Sequence, residues 1–179
     1  CDNNLDDAES YSGKGSEKHL SWKQLTSACG SAPNMRANTS VFYHDNTIWF
    51  VCGKSTGLTN EVWLFNTIDR KWAKKMTKGR APSPRDGHAV AFSENNKKLY
   101  LFGGQGSPKP IHVANSSFDK IKVEFLATRQ TYADFYEFDI DTGVWAEKEP
   151  SGIRPPARRC HTFLSYKTDI SHTKTLLRG

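Results

Sequence analysis

Apolar residues in this chain fall in short runs separated by polar turns. None approaches the roughly 20 apolar residues that a membrane-spanning helix needs. The longest are Ile48-Trp-Phe-Val-Cys-Gly53, Val62-Trp-Leu-Phe65, Leu99-Tyr-Leu-Phe-Gly-Gly104 and Phe135-Tyr-Glu-Phe-Asp139. They are rich in aromatic and β-branched side chains and are bounded by Asn, Asp, Lys and Gly, which predicts strands. Shorter runs occur at Ser40-Val-Phe-Tyr43, His88-Ala-Val-Ala-Phe92 and His161-Thr-Phe-Leu164. The longer runs barely alternate, so their strands are expected to be buried on both faces.

The runs recur in a fixed order. Trp22, Trp72 and Trp145 each open a short polar strand, 50 and 73 residues apart. A proline-containing stretch follows each and ends in an arginine: Arg36, Arg85 and Arg158. Next come a first apolar run, a turn, and a second run ending in glycine, at Gly53, at Gly103-Gly104 and at the final Gly179. A third run then leads through an aspartate back to tryptophan. Each unit is thus four short strands, the repeat signature of stacked sheets. Glycine at the end of strand two allows positive φ or close backbone approach. Tryptophan on strand four supplies apolar area between neighbouring sheets.

This order resembles the kelch repeat: Arg-x-x-His, a strand, a Gly-Gly doublet, an aromatic strand, then Asp and Trp. The second unit carries it best, in Arg85, His88, Gly103, Gly104, Tyr136, Asp139 and Trp145. The first unit has Cys52-Gly53 for the doublet, Asn38 or Thr39 for the histidine and Trp63 for the aromatic. The third begins at Arg158 and His161. The resemblance covers residues 20–179 and implies an all-β fold, a β-propeller of four-stranded antiparallel blades. Full blades are expected at about 36–76 and 85–149, with a partial blade at 158–179 and one lone strand at Trp22. Closed propellers have about four to eight blades, so the ring is expected to continue beyond Gly179 and the isolated chain to be marginal or to self-associate. Residues 1–19, rich in Asp, Asn, Ser and Gly, read as a disordered leader. Residues 105–132 are a loop insertion between strands two and three of the second unit. Within it Phe118–Phe125 alternates apolar and charged residues, as an extra hairpin strand would.

Charge sharpens the picture more than overall composition does. The 179 residues carry 25 Lys+Arg against 19 Asp+Glu, a net +6. In an up-and-down blade the 2–3 and 4–1 loops share a face. The segments assigned to that face, 23–36, 73–85, 105–133 and 146–159, hold fifteen basic and four acidic residues. An acidic or phosphorylated peptide segment of a partner protein is therefore the expected ligand, with Lys74, Lys75, Lys78, Arg80, Arg154 and Arg159 as its binding residues. A nucleic-acid face would need aromatics among the basic residues. Those loops have only Phe118, Phe125 and Tyr132, all in the insertion.

Candidate chemistry is sparse. None of the six histidines pairs with another at metal-ligand spacing, and the four cysteines form no CxxC. The cysteines are expected to be free thiols in a reducing, intracellular compartment, cytoplasm or nucleus. The sequons Asn38-Thr39-Ser40 and Asn115-Ser116-Ser117 weigh the other way. Gly103-Gly-Gln-Gly106 is not a phosphate loop, because Ser-Pro-Lys-Pro follows it and starts no helix. No catalytic residue, metal or cofactor and no membrane contact is expected. The kelch resemblance implies a non-catalytic scaffold or adaptor. The alternatives are part of a propeller enzyme, a metal-dependent oxidase or lyase, and the nucleic-acid face.

Overall fold

A computed structural model describes residues 28–107, 110–113, 122–125, 129–169 and 172–178. Every regular element in it is a strand. The first sheet comprises β1 (Ser40–His44), β2 (Thr47–Lys54), β3 (Leu58–Asn66) and β4 (Lys71–Lys75), antiparallel and in that spatial order. The second contains β5 (Lys78–Gly79), β6 (Ala89–Ser93), β7 (Lys98–Phe102), β10 (Phe135–Asp139) and β11 (Val144–Lys148), ordered β5-β11-β10-β7-β6. The insertion forms a separate hairpin of β8 (Pro110–Val113) and β9 (Lys122–Phe125). The alternating pattern marked only the β9 side of it. A third sheet pairs β12 (Thr162–Asp169) with β13 (His172–Arg178). Trp22 and the leader lie outside the described residues.

Local chemistry sets the turns. β1 and β2 join through Asp45-Asn46, both at positive φ, as a tight two-residue hairpin requires. At the β10–β11 turn, Asp139 accepts a 2.8 Å bond from the Thr142 backbone N–H and pairs with Lys98 at 2.5 Å. Those bonds hold its carboxyl well below the usual carboxylate range. The register makes Asn66 the first-sheet counterpart of Asp139, and its side chain accepts from Ile68 and Asp69 N–H. Asp69, the aspartate that precedes Trp72 in the repeat pattern, sits within the turn instead.

The sheets stack face to face. Trp49, Val51 and Val62 of sheet one are buried against Leu99, Leu101, Tyr136, Phe138 and Trp145 of sheet two. Phe42 stacks on Phe92 at 4.9 Å, and Trp49 meets Phe138 edge-on at 6.4 Å. On the other face of sheet two, Ala89, Ala91 and Phe102 pack with Phe163 of β12. Trp145, at 1 % exposure, fills the wedge between sheets one and two. Trp72 holds the same register position in sheet one, on the face turned away from sheet two, and is only half-buried. Among the described residues no neighbouring sheet covers that face of sheet one.

The glycine doublets fasten each sheet to the next. Gly103 and Gly104 have φ of 65° and 95°. A Cβ at Gly103 would stand 2.6 Å from the Arg158 carbonyl. The Gly104 N–H donates to that same carbonyl at 2.9 Å, and the Gly53 N–H donates to the Arg85 carbonyl at 2.9 Å. The second residue of each doublet therefore bonds the repeat arginine of the following unit. Cys52, in the place of Gly103, adopts φ 53° with its side chain fully buried. Burial pushes its thiol up to about 12 despite nearby Arg85 and Arg36, so it stays protonated and inert.

Candidate interaction face

At one end of the strands, the doublets meet the segments that enter each first strand and the base of the insertion. Arg85 is the centre of the best-defined cluster. It is fully buried and grips Asp134 bidentately at 2.6 and 2.8 Å. It also donates to the Gly103 and Ser83 carbonyls and to the Ser83 hydroxyl. Its guanidinium lies 4.2 Å from the Tyr132 ring centroid and 5.4 Å from that of Tyr136. Burial works against the charge, but the Asp134 bonds outweigh it and raise the Arg85 pKa. All this leaves Arg85 fixed within the fold and unavailable to a ligand.

Sheet one repeats the arrangement. Arg36 donates to Glu61 at 2.5 Å and lies 5.7 Å from the Trp63 ring. Glu61 also accepts from the Trp63 indole at 2.9 Å and from Lys74 at 2.5 Å. The bonds from Lys74, Trp63 and Arg36 lower its pKa to about 2. Glu61 and Asp134 each stand two residues before the repeat aromatic, Trp63 or Tyr136. Sequence reasoning found both arginines and both aromatics but missed the acids. The signal was an acid-x-aromatic step at the start of strand three.

The insertion is stapled at its base. Arg129 binds the buried Asp86 through two nitrogens, at 2.7 and 3.3 Å, and donates to the Gly106 and Gln105 carbonyls. Gln105 bridges both Asp86 and Thr131. Asp86 and Arg129 were not singled out from the sequence, because two residues 43 apart carry no local pattern.

The six basic residues expected to bind a partner are spread out. Lys74 is on β4, tied to Glu61. Lys75 is half-buried with its ammonium 5.8 Å from the Trp49 ring. Lys78 and Arg80 run along the outer edge of sheet two, where β5 pairs parallel with β11, and Arg80 pairs with Glu147 at 3.0 Å. Arg154 pairs with Glu149 at 3.2 Å. Arg159 follows Arg158, whose backbone joins Tyr132 to the Gly104 N–H. Lys78 and Arg159 are exposed and have no ion-pair partner among the described residues. Lys54, also exposed, closes β2 on this end and bonds Ala37 through its backbone. It was not anticipated.

The repeat histidine positions are structural. His88 is buried against the preceding sheet beside the Val51 carbonyl, though neither ring nitrogen completes a well-formed hydrogen bond. Burial, reinforced by Arg85, lowers its pKa to about 4. His161 lies edge-on to Phe102 at 5.6 Å, and burial lowers its pKa too. Thr39 takes this position in sheet one and donates to the Val51 and Cys52 carbonyls. Among the described residues no group of three or more His, Cys, Asp or Glu side chains could hold a metal. Among the described residues no helix is long and apolar enough to cross a membrane. Cys52 and Cys160 are free, whereas Cys29 is disulfide-bonded, contrary to the expectation of free thiols throughout.

Sheets of four strands, fastened by positive-φ doublets to the next unit's arginine, are what a kelch array requires. A family model described as the KLHDC2/KLHL20/DRC7 Kelch-repeats domain matches residues 16–172. The chain belongs to the kelch-repeat family. It is 29% identical over 144 residues to Kelch repeat-containing protein 2 of Saccharomyces cerevisiae, covering 79% of this chain and 14% of that protein. It is 29% identical over 107 residues to Dynein regulatory complex subunit 7 of Chlamydomonas reinhardtii, covering 59% and 7%. Kelch domain-containing protein 2 of Bos taurus is 26% identical over 129 residues, covering 72% and 26%. The chain thus spans about a quarter or less of the length of these kelch relatives.

Proposed function

We propose that this kelch-repeat chain is a non-catalytic protein-interaction module that takes an acidic segment of a partner on its loop face. Membership of the family supports the coarser reading, since a relative is a named subunit of a dynein regulatory complex. One observation carries the finer one. Each described acid on that face, Glu61, Asp86, Asp134 and Glu149, is already held by an arginine or lysine. Exposed Lys54 and Arg159 remain without an acid of their own among the described residues; Lys78 lies at the other end of sheet two, where its N–H donates to the Gly143 carbonyl in the β10–β11 turn. Among the described side chains the face therefore offers unpaired positive charge and no unpaired negative charge. Rim charges of this kind steer encounter and favour a complementary partner.

The test uses a fluorescent Asp/Glu-rich peptide, its phosphoserine counterpart and a single-stranded oligonucleotide, read by anisotropy at low and moderate salt. Salt-sensitive binding of the peptides that is lost in Lys54→Glu/Arg159→Glu but kept in Lys78→Glu supports the proposal. Peptide binding that survives the double reversal overturns it. Equal binding of the oligonucleotide favours the nucleic-acid reading.

A further inference from the structure

The segment that enters β6 carries a hydroxyl that the repeat does not use. In the second and third units the repeat arginine folds back on the carbonyl two residues before it. Arg85 Nε donates to the Ser83 carbonyl at 3.0 Å, and Arg158 Nε to the Pro156 carbonyl at 3.3 Å. Asn34, Ser83 and Pro156 hold that place in the three units, so only the second has a hydroxyl there. Ser83 is exposed, and its Oγ accepts from Arg85 Nη2 at 3.1 Å. Pro84, also exposed, follows it. A proline after the acceptor leaves no N–H to be stranded in an enzyme cleft and biases the serine toward extended backbone. The chain holds one other Ser-Pro pair, Ser107-Pro108. The segment is pinned to the end of sheet one on both sides of Ser83. The Asn60 side-chain amide donates to the Pro82 carbonyl at 2.9 Å, and the Gly53 N–H to the Arg85 carbonyl at 2.9 Å. Ser83 therefore stands beside the strand end that carries exposed Lys54.

We propose that Ser83 is a phosphorylation site for a proline-directed kinase, and that its phosphoryl group closes the loop face to acidic partners; the closure rests on the acidic-segment reading above. In the transfer, Ser83 Oγ bonds the γ-phosphorus of a nucleoside triphosphate and the bond from that phosphorus to the β–γ bridging oxygen breaks. The nucleoside diphosphate leaves, and the hydroxyl proton passes to the kinase's base. The product carries about −2 charge at pH 7 and three acceptor oxygens. Arg85 Nη2, the donor to Ser83 Oγ, already donates to Asp134 at 2.8 Å. Repulsion from Asp134 therefore turns the phosphoryl group away from the buried clamp and out toward solvent, beside Lys54. The face then holds an acid of its own next to one of its two exposed cations, and a partner's acids meet repulsion where they met attraction.

The test incubates the whole chain, folded by circular dichroism, with a proline-directed serine kinase and magnesium ATP, and locates phosphate by tandem mass spectrometry. Wild type is expected to gain phosphate at Ser83. Ser83→Ala and Pro84→Ala are expected to gain none there, and the second variant keeps the hydroxyl and its bond from Arg85. In a Ser107→Ala background, the chain phosphorylated at Ser83 is expected to bind the fluorescent Asp/Glu-rich peptide about tenfold more weakly than the unmodified chain, and phosphatase to restore binding. No phosphate at Ser83 of the folded wild type, phosphate at Ser107 alone, or Pro84→Ala modified as readily as wild type overturns the site. Unchanged peptide binding after full modification at Ser83 overturns the closure. Should the unmodified chain bind no peptide, the acidic-segment reading fails and the closure with it, while the mass spectrum still decides the site.

Discussion

Sheets one and two are copies of one repeat with different surroundings. In sheet two, Arg85, Asp134 and Tyr136 lie in a stack covered on both faces, and Arg85 has no exposed surface. In sheet one the matching Arg36, Glu61 and Trp63 border the open face, and Lys74 joins them as a fourth member. Burial makes the arginine–acid clamp costly to break, because a lost partner strands a desolvated charge. Arg36 is also nearly buried, at 7 % side-chain exposure, but Glu61 is 32 % exposed and has Lys74 as a second cation, so losing Arg36 does not strand the acid. The same motif is therefore a two-member clamp around a fully buried arginine in one copy, and in the other a network whose partly exposed acid has a second cation.

The largest expected effect comes from breaking the clamp where it is buried. Arg85→Leu should cost about 3–5 kcal/mol in denaturant unfolding, the range for removing one member of a buried pair. Arg36→Leu should cost about 1 kcal/mol, because Glu61 keeps Lys74 and the Trp63 indole. Equal costs would erase the distinction between the copies.

Moving a residue between the copies is the next test. Gly103→Cys gives sheet two the doublet of sheet one. It places a Cβ 2.6 Å from the Arg158 carbonyl at φ 65°. A loss of roughly 1–3 kcal/mol is expected from the strained backbone. A change within about 0.5 kcal/mol, the range for ordinary surface positions, would show the two doublets to be interchangeable.

A smaller effect should appear in the pH dependence. His88 is neutral when folded, its pKa lowered from 6.5 to about 4 by burial and by Arg85. Below pH 6.5 the unfolded chain takes up a proton that the folded chain refuses, so stability falls as pH drops through 6.5 toward 4. The loss at pH 5 relative to pH 8 should be roughly 1–2 kcal/mol. His88→Thr, which copies Thr39 of sheet one, should flatten this slope. An unchanged slope would assign the pH dependence to other groups.

Much of this fold was legible in the sequence because the repeat restates itself. Trp72 and Trp145, Arg36 and Arg85, and Gly53 and Gly104 mark equivalent places, and order alone identified an all-β array. Burial of individual copies was not legible, since Trp72 and Trp145 look alike until their neighbours are known. Acids were missed for a related reason. Glu61 and Asp134 differ in type and stand 25 and 49 residues from their arginines, across a loop in one copy and a long insertion in the other. Counting loop charges also overstated the free positive charge, because the acids that neutralise Arg85 and Arg129 lie at Asp134 and Asp86, just outside the counted segments.

The contrast between a covered and an open copy is tested most directly by hydrogen exchange of the tryptophan indole N–H groups, followed by NMR on dilute protein. Trp49 and Trp145 have buried indole nitrogens with no hydrogen-bond partner among the described residues, whereas Trp72 is half-buried on the open face. The Trp49 and Trp145 indoles should exchange only through opening of the stack, and the Trp72 indole much faster. Equal protection of Trp72 and Trp145 would contradict the account.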